Sequence, residues 1–387
     1  MRARWIALIA CGIAALGSIH LSRADGQAPP PPSPYAVFAW SEQGMISTHE
    51  DFSSICLMPL GTTIRTQVIV RGEEPEILDG DATVTYSVPT HARSFDKTNF
   101  WTHAQQLFGV SLAPDIGRTG HGLSGTMTTA PGNLWQVTGV PVVPIDNAGR
   151  IDPYPVGLVK VTGNLGVGES RPVLGVSGEL NCALCHGTGT GSPSIGVLQY
   201  HDAFEGTDLM NQQPVFCAEC HADTSIGAPG KPGISTLSHA MHNGMLDAVV
   251  QSGLENVCLA CHPGIRDEAQ RDVHKAAGIE CIDCHGDMTA MADTNRIPWV
   301  DLPRCENCHS GAGEEYEQPG TLYKDSIGHG GVRCTSCHGS PHAIGPATNP
   351  IDNQQAIALQ GHAGPINTCS VCHTTTPGKP FFHRVNK

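Results

Sequence analysis

The sequence predicts a mainly-β, sandwich-like domain over residues 36–175 and a loop-rich domain of short helices over residues 176–387. Segments of the first part alternate apolar and polar residues, as half-buried strands do. The 45 glycines and 29 prolines of the chain indicate frequent turns and loops. In the second part, a five-residue unit of two cysteines and a histidine recurs seven times within the last 206 residues.

The N-terminus has the features of a secretory signal peptide. A positive stretch, Met1–Arg4, precedes an apolar run from Trp5 to Ile19, and Ser22–Ala24 supplies small residues for cleavage. We therefore expect residues 1–24 to be removed and the mature chain to be exported to the periplasm, the outer surface or the extracellular space. Residues 25–35 are then a stiff proline-rich linker.

Two other interpretations of this N-terminus are open. An uncleaved membrane anchor is disfavoured, because an apolar run of fifteen residues is short for a membrane span. A lipoprotein signal would modify Cys11, but the apolar run continues past that cysteine. No other segment is apolar enough to cross a bilayer, so we expect no transmembrane span after signal cleavage.

Four segments of the first part are predicted to be strands, and one segment is predicted to be a helix. The helix covers residues 99–108, with Thr98 as its N-cap. The strands are Thr63–Arg71, Ala82–Val88, Val137–Val143 and Val156–Val161. This part of the chain is long enough to bury a core of its own.

The recurring unit is Cys-x-x-Cys-His, and its seven copies use 14 of the 16 cysteines. Two thiols at this spacing bond to two edges of one porphyrin, and the adjacent histidine coordinates the iron. The motifs therefore predict seven covalently bound c-type haems with the motif histidines as proximal ligands. Motifs 1 to 7 are Cys182, Cys185 and His186; Cys217, Cys220 and His221; Cys258, Cys261 and His262; Cys281, Cys284 and His285; Cys305, Cys308 and His309; Cys334, Cys337 and His338; and Cys369, Cys372 and His373.

Three other uses of paired cysteines fit the pattern less well. A zinc ribbon needs an even number of pairs and has no reason to place a histidine after every second cysteine. A thioredoxin-type redox motif occurs singly, in a βαβ context. A disulfide framework would not repeat one five-residue unit.

The spacing of the motifs predicts how the second part folds. Successive first cysteines are 23 to 41 residues apart, and such short segments cannot bury a conventional core. We therefore expect the polypeptide to wrap around stacked haems, which take the place of a core. The irregular spacing argues against a strict solenoid repeat.

Each iron also needs a second axial ligand or an open position. Eight histidines outside the motifs follow residue 180, which is close to the demand of seven irons for bis-histidine coordination. Methionine ligation is the alternative, through Met210, Met241, Met245, Met288 or Met291. The candidate distal ligands are His201, His239, His242, His274, His329, His342, His362 and His383.

The placement of some of these candidates is itself informative. His274, His329 and His362 precede the next first cysteine by five or seven residues, a recurring position that suggests ligation. His239 and His242 are about one helical turn apart, so each could serve a different haem. The surplus histidine is expected to be His201 or His342.

Four histidines of the first part show no motif spacing: His49, His91, His103 and His121. Cys56 is the one cysteine of the expected mature chain outside the motifs. Together with Met58 and His49 it suggests a copper site, which would need a second histidine. A buried free thiol is the interpretation that we favour.

At its seven motifs, the C-terminal part resembles the multihaem c-type cytochromes of bacterial respiration. The resemblance implies thioether bonds at the motif cysteines and closely stacked haems that conduct electrons. Some members of that family polymerise into extracellular filaments in which a histidine of one subunit ligates a haem of the next, a role that His383 would suit. Residues 40–45 and 98–101 also resemble parts of β-rich domains that precede haem regions in exported cytochromes.

The function predicted is that of an exported electron carrier whose partners are redox proteins, extracellular acceptors or further copies of itself. The formal net charge of −14 argues against nucleic acid as a partner. The main alternative is a multihaem oxidoreductase that reduces nitrogen or sulfur oxyanions at one five-coordinate haem. Several such relatives carry lysine in place of the motif histidine, whereas all seven motifs here end in histidine. A scaffold or zinc-binding protein is a third alternative.

Overall fold

A computed structural model describes residues 33–187, 192–230, 232–245, 254, 256–309, 318 and 320–383. The predicted signal peptide, Cys11 and the linker up to residue 32 lie outside the described residues. Ser33–Lys387 forms one compact unit, which contains both predicted domains. None of the helices that the structure describes is long and apolar enough to cross a membrane.

The first part of the chain is built from antiparallel strands. One sheet has the order β1–β4–β9–β8, with β5 also paired to β4, and a second sheet has the order β11–β10–β6–β7. The strands are β1 (Tyr35–Ser41), β2 (Met45–Ser47), β3 (Ile55–Cys56), β4 (Thr62–Val70), β5 (Glu76–Ile77), β6 (Ala82–Ser87), β7 (Ser124–Thr126), β8 (Thr128–Ala130), β9 (Leu134–Val140), β10 (Leu158–Gly163), β11 (Gly166–Ser170), β12 (Gly175–Ser177), β13 (Val215–Phe216), β14 (Ile327–Gly328) and β15 (Val332–Arg333).

The two sheets share one apolar core. Val37 and Val68 of the first sheet belong to the same buried cluster as Val84 and Val159 of the second. Alternation along the strands explains this, because every second side chain points to the same face. Each of the four predicted strands overlaps one of the strands β4, β6, β9 and β10, with ends that differ by up to three residues.

Strand β1 was not predicted, because it lacks the alternation of a half-buried strand. All seven of its residues are buried. Val37 faces the core between the sheets, whereas Phe38 and Trp40 pack against Val332 and Val371 of the C-terminal part. A strand that is covered on both faces reads as a continuous apolar run.

The predicted helix is present as α1 (Phe100–Phe108), but its N-cap was wrong. Asn99 occupies that position and its side chain makes no cap hydrogen bond, whereas the hydroxyl of Thr98 accepts the N–H of Phe100 at 3.4 Å. The Oδ1 atom of Asn99 instead accepts the N–H of Phe52 at 2.8 Å. The helix ends at Gly109, whose φ of +70° is in the left-handed region that glycine adopts most readily.

The C-terminal part consists of short helices and loops. Six apolar residues after Ser177 are buried among the described residues, too few for a conventional core. They are Leu198, Ala218, Ala260, Val332, Ala343 and Val371. The α-helices described here are α2 (Pro193–Glu205), α3 (Ile234–His242), α4 (Val273–Ala276), α5 (Cys281–His285), α6 (Met288–Met291), α7 (Cys334–His338) and α8 (Gln354–Gln360).

Strands of the first part hold segments of the second part in place. Gln67 on β4 accepts hydrogen bonds from the backbone N–H of Arg333 at 2.9 Å and from the hydroxyl of Ser336 at 2.8 Å. The N–H of Gly72 donates to the carbonyl of Cys372 at 3.2 Å. Motif 6 is therefore held against the inner strand β4 of the first sheet, and motif 7 against the segment that follows β4.

Candidate functional site

Each Cys-x-x-Cys-His motif folds as a single helical turn. In motif 1 the N–H of His186 donates to the carbonyl of Cys182 at 2.8 Å, and motifs 2, 3, 5 and 7 repeat this bond. Motifs 4 and 6 form the short helices α5 and α7. Residues three and four positions apart lie on the same side of a helix, so both thiols and the imidazole of a motif point the same way.

Every motif histidine faces a second histidine ring. The ring centroids are 6.0 to 6.3 Å apart in all seven pairs. The second histidines all come from the candidates that the sequence analysis named. The pairs are His186 with His242, His221 with His201, His262 with His239, His285 with His342, His309 with His274, His338 with His383, and His373 with His329.

The spacing of these rings fits a metal ion between them. Because a metal–imidazole nitrogen bond is about 2.0 Å long, two imidazoles on opposite sides of one metal ion have centroids about 6 Å apart. Two histidines in direct hydrogen-bonded contact would be closer than this. The pairs therefore have the separation that two axial ligands of one haem iron require.

Hydrogen bonds orient several of the second histidines. The Nδ1 atom of His239 lies 2.7 Å from the carbonyl of Ser235, and that of His242 lies 2.6 Å from the carbonyl of Ser238. Similarly, Nδ1 of His329 lies 2.6 Å from the carbonyl of Phe381. A ligating histidine commonly donates its other ring N–H in this way, which leaves Nε2 for the metal.

Helix α3 connects two of the motifs. His239 faces motif 3 and His242 faces motif 1, so the two histidines of one helical turn face different motifs. Helix α2 does the same for motifs 1 and 2. The ring of Tyr200 lies 5.5 Å from that of His186, and the adjacent His201 faces His221.

The surplus histidine is not the one expected. His201 and His342 each face a motif histidine, which argues against the prediction that one of them is surplus. His362 is exposed, and its Nδ1 lies 2.9 Å from the carbonyl of Ala363. Its Nε2 lies 3.4 Å from the hydroxyl of Thr368, so both ring nitrogens have polar neighbours other than a histidine.

His383, a candidate distal ligand, faces a motif of its own chain. Its ring lies 6.3 Å from that of His338 in the same chain. An imidazole in this position is directed at its own motif 6 rather than at a neighbouring subunit. The pairing therefore argues against the prediction that His383 ligates a haem of another copy.

Five of the motifs border one large cavity. Its volume is about 2080 Å³, at least twice that of ligand pockets, which are about 300 to 1,000 Å³. All five motif histidines and their five opposite histidines also line it. The cysteines in its wall are Cys258, Cys261, Cys281, Cys284, Cys305, Cys308, Cys334, Cys337, Cys369 and Cys372.

The thiols are available for bonding to a porphyrin. Each of the 14 motif cysteines is an unbridged thiol in the described part of the chain. Burial and the neighbouring thiol of Cys372 raise the pKa of Cys337 to about 12. Unbridged thiols are what the prediction of thioether bonds to a porphyrin requires.

A partly buried cation, Arg296, lines the same cavity. The Nε and Nη1 atoms of Arg296 are buried and lack a hydrogen-bond partner among the described residues. Arg296 lines the cavity, and its charge contributes to lowering the pKa values of His239 and His285, which burial lowers most. A carboxylate such as a haem propionate would supply the missing counter-charge.

Neighbouring motifs approach one another through their thiols. The side-chain NH2 of Asn256, two residues before motif 3, donates to the thiol of Cys281 in motif 4 at 3.8 Å, and the neighbouring thiol of Cys258 lowers the pKa of Cys281. Burial and the thiol of Cys308 in motif 5 raise the pKa of Cys284 in motif 4. Motifs 3, 4 and 5 are thus consecutive neighbours in space as well as in sequence.

The remaining motifs extend this row at both ends. Burial and the thiols of Cys182 and Cys185 raise the pKa of Cys261 to about 11, which places motif 1 beside motif 3. Tyr323 lies between motifs 5 and 6, and desolvation and the thiols of Cys334 and Cys305 raise its pKa well above the usual value. With motif 2 beside motif 1 and motif 7 beside motif 6, the spatial order is 2–1–3–4–5–6–7.

The candidate histidines of the first part do not gather into a site. Burial lowers the pKa of His49 to about 4, and its Nε2 accepts the N–H of Leu57 at 2.8 Å. Cys56 is fully buried, as favoured, and burial raises the pKa of its thiol. In the described part of the chain, no three His, Cys, Asp or Glu side chains come together as a metal site.

Two residues at the site carry no sequence signal. Arg296 stands outside every motif, and Asp272 bonds to the ring of His274 through its carboxylate. A single charged residue in a loop is ordinarily a solvated side chain, so neither position could be selected from the sequence alone.

Comparison with known proteins gives one partial match. Residues 288–339 match the family model described as cytochrome c554 and c-prime. The matched segment contains motifs 5 and 6, and it supports a c-type cytochrome with covalently bound haem and a role in electron transfer. The chain matches no curated protein and no solved structure.

Proposed function

We propose that this protein is an exported electron carrier that holds seven c-type haems, each with two histidine ligands. The observation that carries the proposal is the set of seven histidine pairs, each with one motif histidine and centroids 6.0 to 6.3 Å apart. A bound haem supplies an iron that accepts and donates one electron. The proposal assigns the motif cysteines to thioether bonds and both histidines of each pair to the iron.

The histidine pairs favour a carrier over an oxidoreductase. An enzyme that reduces an oxyanion at iron needs an axial position that substrate can occupy. A second imidazole lies opposite each of the seven motif histidines, which leaves no candidate for such a position among the described residues. Histidine on both sides also lowers the potential relative to histidine and methionine.

The row of neighbouring motifs supports electron movement along the chain of haems. The thiols of motifs 1 and 3, 3 and 4, 4 and 5, and 6 and 7 influence one another, as do the histidines of motifs 5 and 6, and helix α2 contacts both motif 1 and motif 2. Motif 2 and motif 7 are the two ends of the row. We propose that electrons enter at one end and leave at the other.

The fold class follows from the same proposal. The two antiparallel sheets with a shared core are proposed to be a sandwich-like domain, and the C-terminal part is proposed to be organised around stacked haems. The six buried apolar residues after Ser177 support the second point, because they leave the stability of that part to the cofactors. The sheets hold motifs 6 and 7 through Gln67 and Gly72.

The predicted partners are redox proteins or extracellular acceptors. The acidic character of the chain supports partners with basic surfaces. Export is supported by the N-terminal sequence, with its positive stretch and apolar run. Stopped-flow mixing of the reduced protein with a small basic cytochrome tests the partner proposal, since the rate should fall as salt increases.

Mass spectrometry and electron paramagnetic resonance test the haem proposal. We expect a red protein whose chain is heavier by seven haems and whose irons are all low-spin. A high-spin signal from one iron would favour the function of an oxidoreductase over that of a carrier. A colourless protein of unmodified mass would contradict haem binding altogether.

A further inference from the structure

Asp272 makes a contact with an axial histidine that differs from those of the other pairs. Its side chain is almost fully buried, and its Oδ2 atom lies 3.2 Å from Nδ1 of His274. The ring of His274 faces that of His309 in motif 5, at a centroid distance of 6.0 Å. Asp272 thus contacts the imidazole that, together with His309, would hold the proposed iron of motif 5.

Four other second histidines bond through Nδ1 to uncharged oxygens. His239, His242 and His329 are bonded to backbone carbonyls, and His201 lies 2.9 Å from the hydroxyl of Thr207. A full negative charge attracts the Nδ1 proton more strongly than a neutral oxygen does. The ring that bonds to a carboxylate is therefore the more electron-rich ligand.

The charge of Asp272 is not neutralised by the cations beside it. Arg271 is fully buried and forms a bidentate pair with Asp352, with distances of 2.5 and 3.1 Å. Lys275 lies 3.6 Å from Glu268. Both cations are thus paired with other carboxylates, and the negative charge of Asp272 acts on His274, which it contacts, and also on His342, which faces motif 4.

We propose that Asp272 is a positioning residue that lowers the reduction potential of the haem at motif 5. This inference rests on the proposed function, since it takes His274 and His309 as the two ligands of that iron. Oxidation adds a positive charge at the iron, and a nearby buried negative charge stabilises the oxidised form. The haem at motif 5 would then have a lower potential than its neighbours at motifs 4 and 6. Electrons would pass through this haem but would not accumulate on it.

Asp272→Asn removes the charge and keeps the helix cap. Asp272 is the N-cap of α4, where its Oδ1 accepts the N–H of Lys275 at 3.0 Å. Asparagine caps a helix as well as aspartate does, so its amide oxygen can keep this bond, whereas its NH2 group replaces Oδ2 and removes the charged acceptor beside Nδ1 of His274. Asp287→Asn is the matched control, because Asp287 caps the equally short α6 through Ala290 at 2.9 Å and is solvent-exposed.

The experiment is a spectroelectrochemical titration of the haem-loaded proteins. We expect one component of the Asp272→Asn titration to show the largest move to higher potential, while Asp287→Asn follows the wild type. Asp272→Ser, which keeps a capping hydroxyl, should give the same upward shift if Asp272→Asn does not assemble. A titration of either Asp272 variant that superimposes on the wild type would overturn the inference.

The same samples separate this inference from the proposed function. Haem content and spin state are recorded on the wild-type protein before the titration begins. A wild-type protein with missing haems or high-spin iron contradicts the proposed function. A wild-type protein with seven low-spin haems whose potentials do not depend on Asp272 contradicts only the role of Asp272.

Discussion

The amide oxygen of Gln67, on a central strand of the first sheet, accepts a hydrogen bond from Ser336 at 2.8 Å, between the two cysteines of motif 6. The same oxygen accepts the N–H of Arg333 at 2.9 Å, and both Gln67 and Ser336 are buried. A side chain of the β-rich part thereby sets the position of a haem-binding turn more than 260 residues later in the sequence.

Gln67→Leu should destabilise this junction. The substitution leaves a backbone N–H and a hydroxyl buried without their acceptor, each at a cost of about 1 to 3 kcal/mol. We expect the urea midpoint of the haem-loaded protein to fall, as followed by circular dichroism and the haem absorbance. Gln354→Leu, at an exposed position of α8, is the control and should leave the free energy of unfolding within about 0.5 kcal/mol of the wild-type value. Equal midpoints for both variants would contradict the anchoring role.

His242→Gly should open the axial position opposite His186. The pair is 6.1 Å apart, and removal of one imidazole leaves a single histidine at the proposed iron of motif 1. We expect a high-spin signal from one iron in the electron paramagnetic resonance spectrum, and imidazole added in solution should remove it.

His362→Gly is the matched control for this change. His362 is exposed and bonds to Ala363 and Thr368, so its loss should leave all irons low-spin. A high-spin signal in His362→Gly, with none in His242→Gly, would show that the histidine pairs are not the ligand pairs.

Sequence reasoning could name the histidines of the site but not their partners. An excess of a rare residue type beside seven motifs is a compositional signal, and all seven second histidines were among the eight candidates. Partner choice depends on tertiary structure, since His201 and His221 are 20 positions apart whereas His285 and His342 are 57 apart.

The distance from a histidine to the next motif in the sequence did not identify the motif that the histidine faces. His274 and His329 precede motifs 4 and 6 but face the histidines of motifs 5 and 7, one motif further on. His362 precedes motif 7, and the sequence contains no later motif whose histidine could face it.

The strands show a similar limit of prediction. Those with one apolar face, such as β6, were predicted from alternation. Strand β1 was not, because its second face is covered by Val332 and Val371, residues that only the folded chain brings to it. Local patterns reveal a face turned to solvent, and they cannot reveal a face that another part of the protein covers.

Glu179 should make the stability of the protein sensitive to acid. This fully buried carboxylate accepts N–H groups of Ile265, Arg266 and Asp267 at 2.9 to 3.0 Å. Although burial alone would raise the pKa of Glu179, the hydrogen bonds from Asn181 and from these N–H groups hold it below its usual value.

The sign of the effect follows from this lowered pKa. A carboxylate with a depressed pKa stabilises the folded state above its unfolded pKa of about 4.3, and this contribution is lost as the pH falls through the folded value. Glu179→Gln should lower the unfolding free energy at pH 7 by about 1.5 to 3 kcal/mol and should flatten its dependence on pH below about 5. Urea titrations across this range provide the measurement, with the exposed Glu169→Gln as a control that should behave as the wild type.

Arg296→Gln should lower the potentials of the haems at motifs 3 and 4. The guanidinium influences His239 and His285, which face or belong to these motifs, and two of its nitrogens lack a partner in the part of the chain that the structure describes. A buried cation favours the reduced iron, which carries one positive charge less, so its removal favours the oxidised form. In a spectroelectrochemical titration, we expect up to two components to move to lower potential.

Arg150→Gln is the control for this effect, because Arg150 is exposed and pairs with Asp146 within the first part of the chain. Its titration should superimpose on that of the wild type, since exposed charges are screened by salt beyond about 10 Å. An upward shift in Arg296→Gln, or an equal shift in both variants, would contradict a local role for the Arg296 charge. The shift expected for Asp272→Asn is in the opposite direction. Arg296→Gln and Asp272→Asn together therefore test whether charges of opposite sign set the haem potentials along the row.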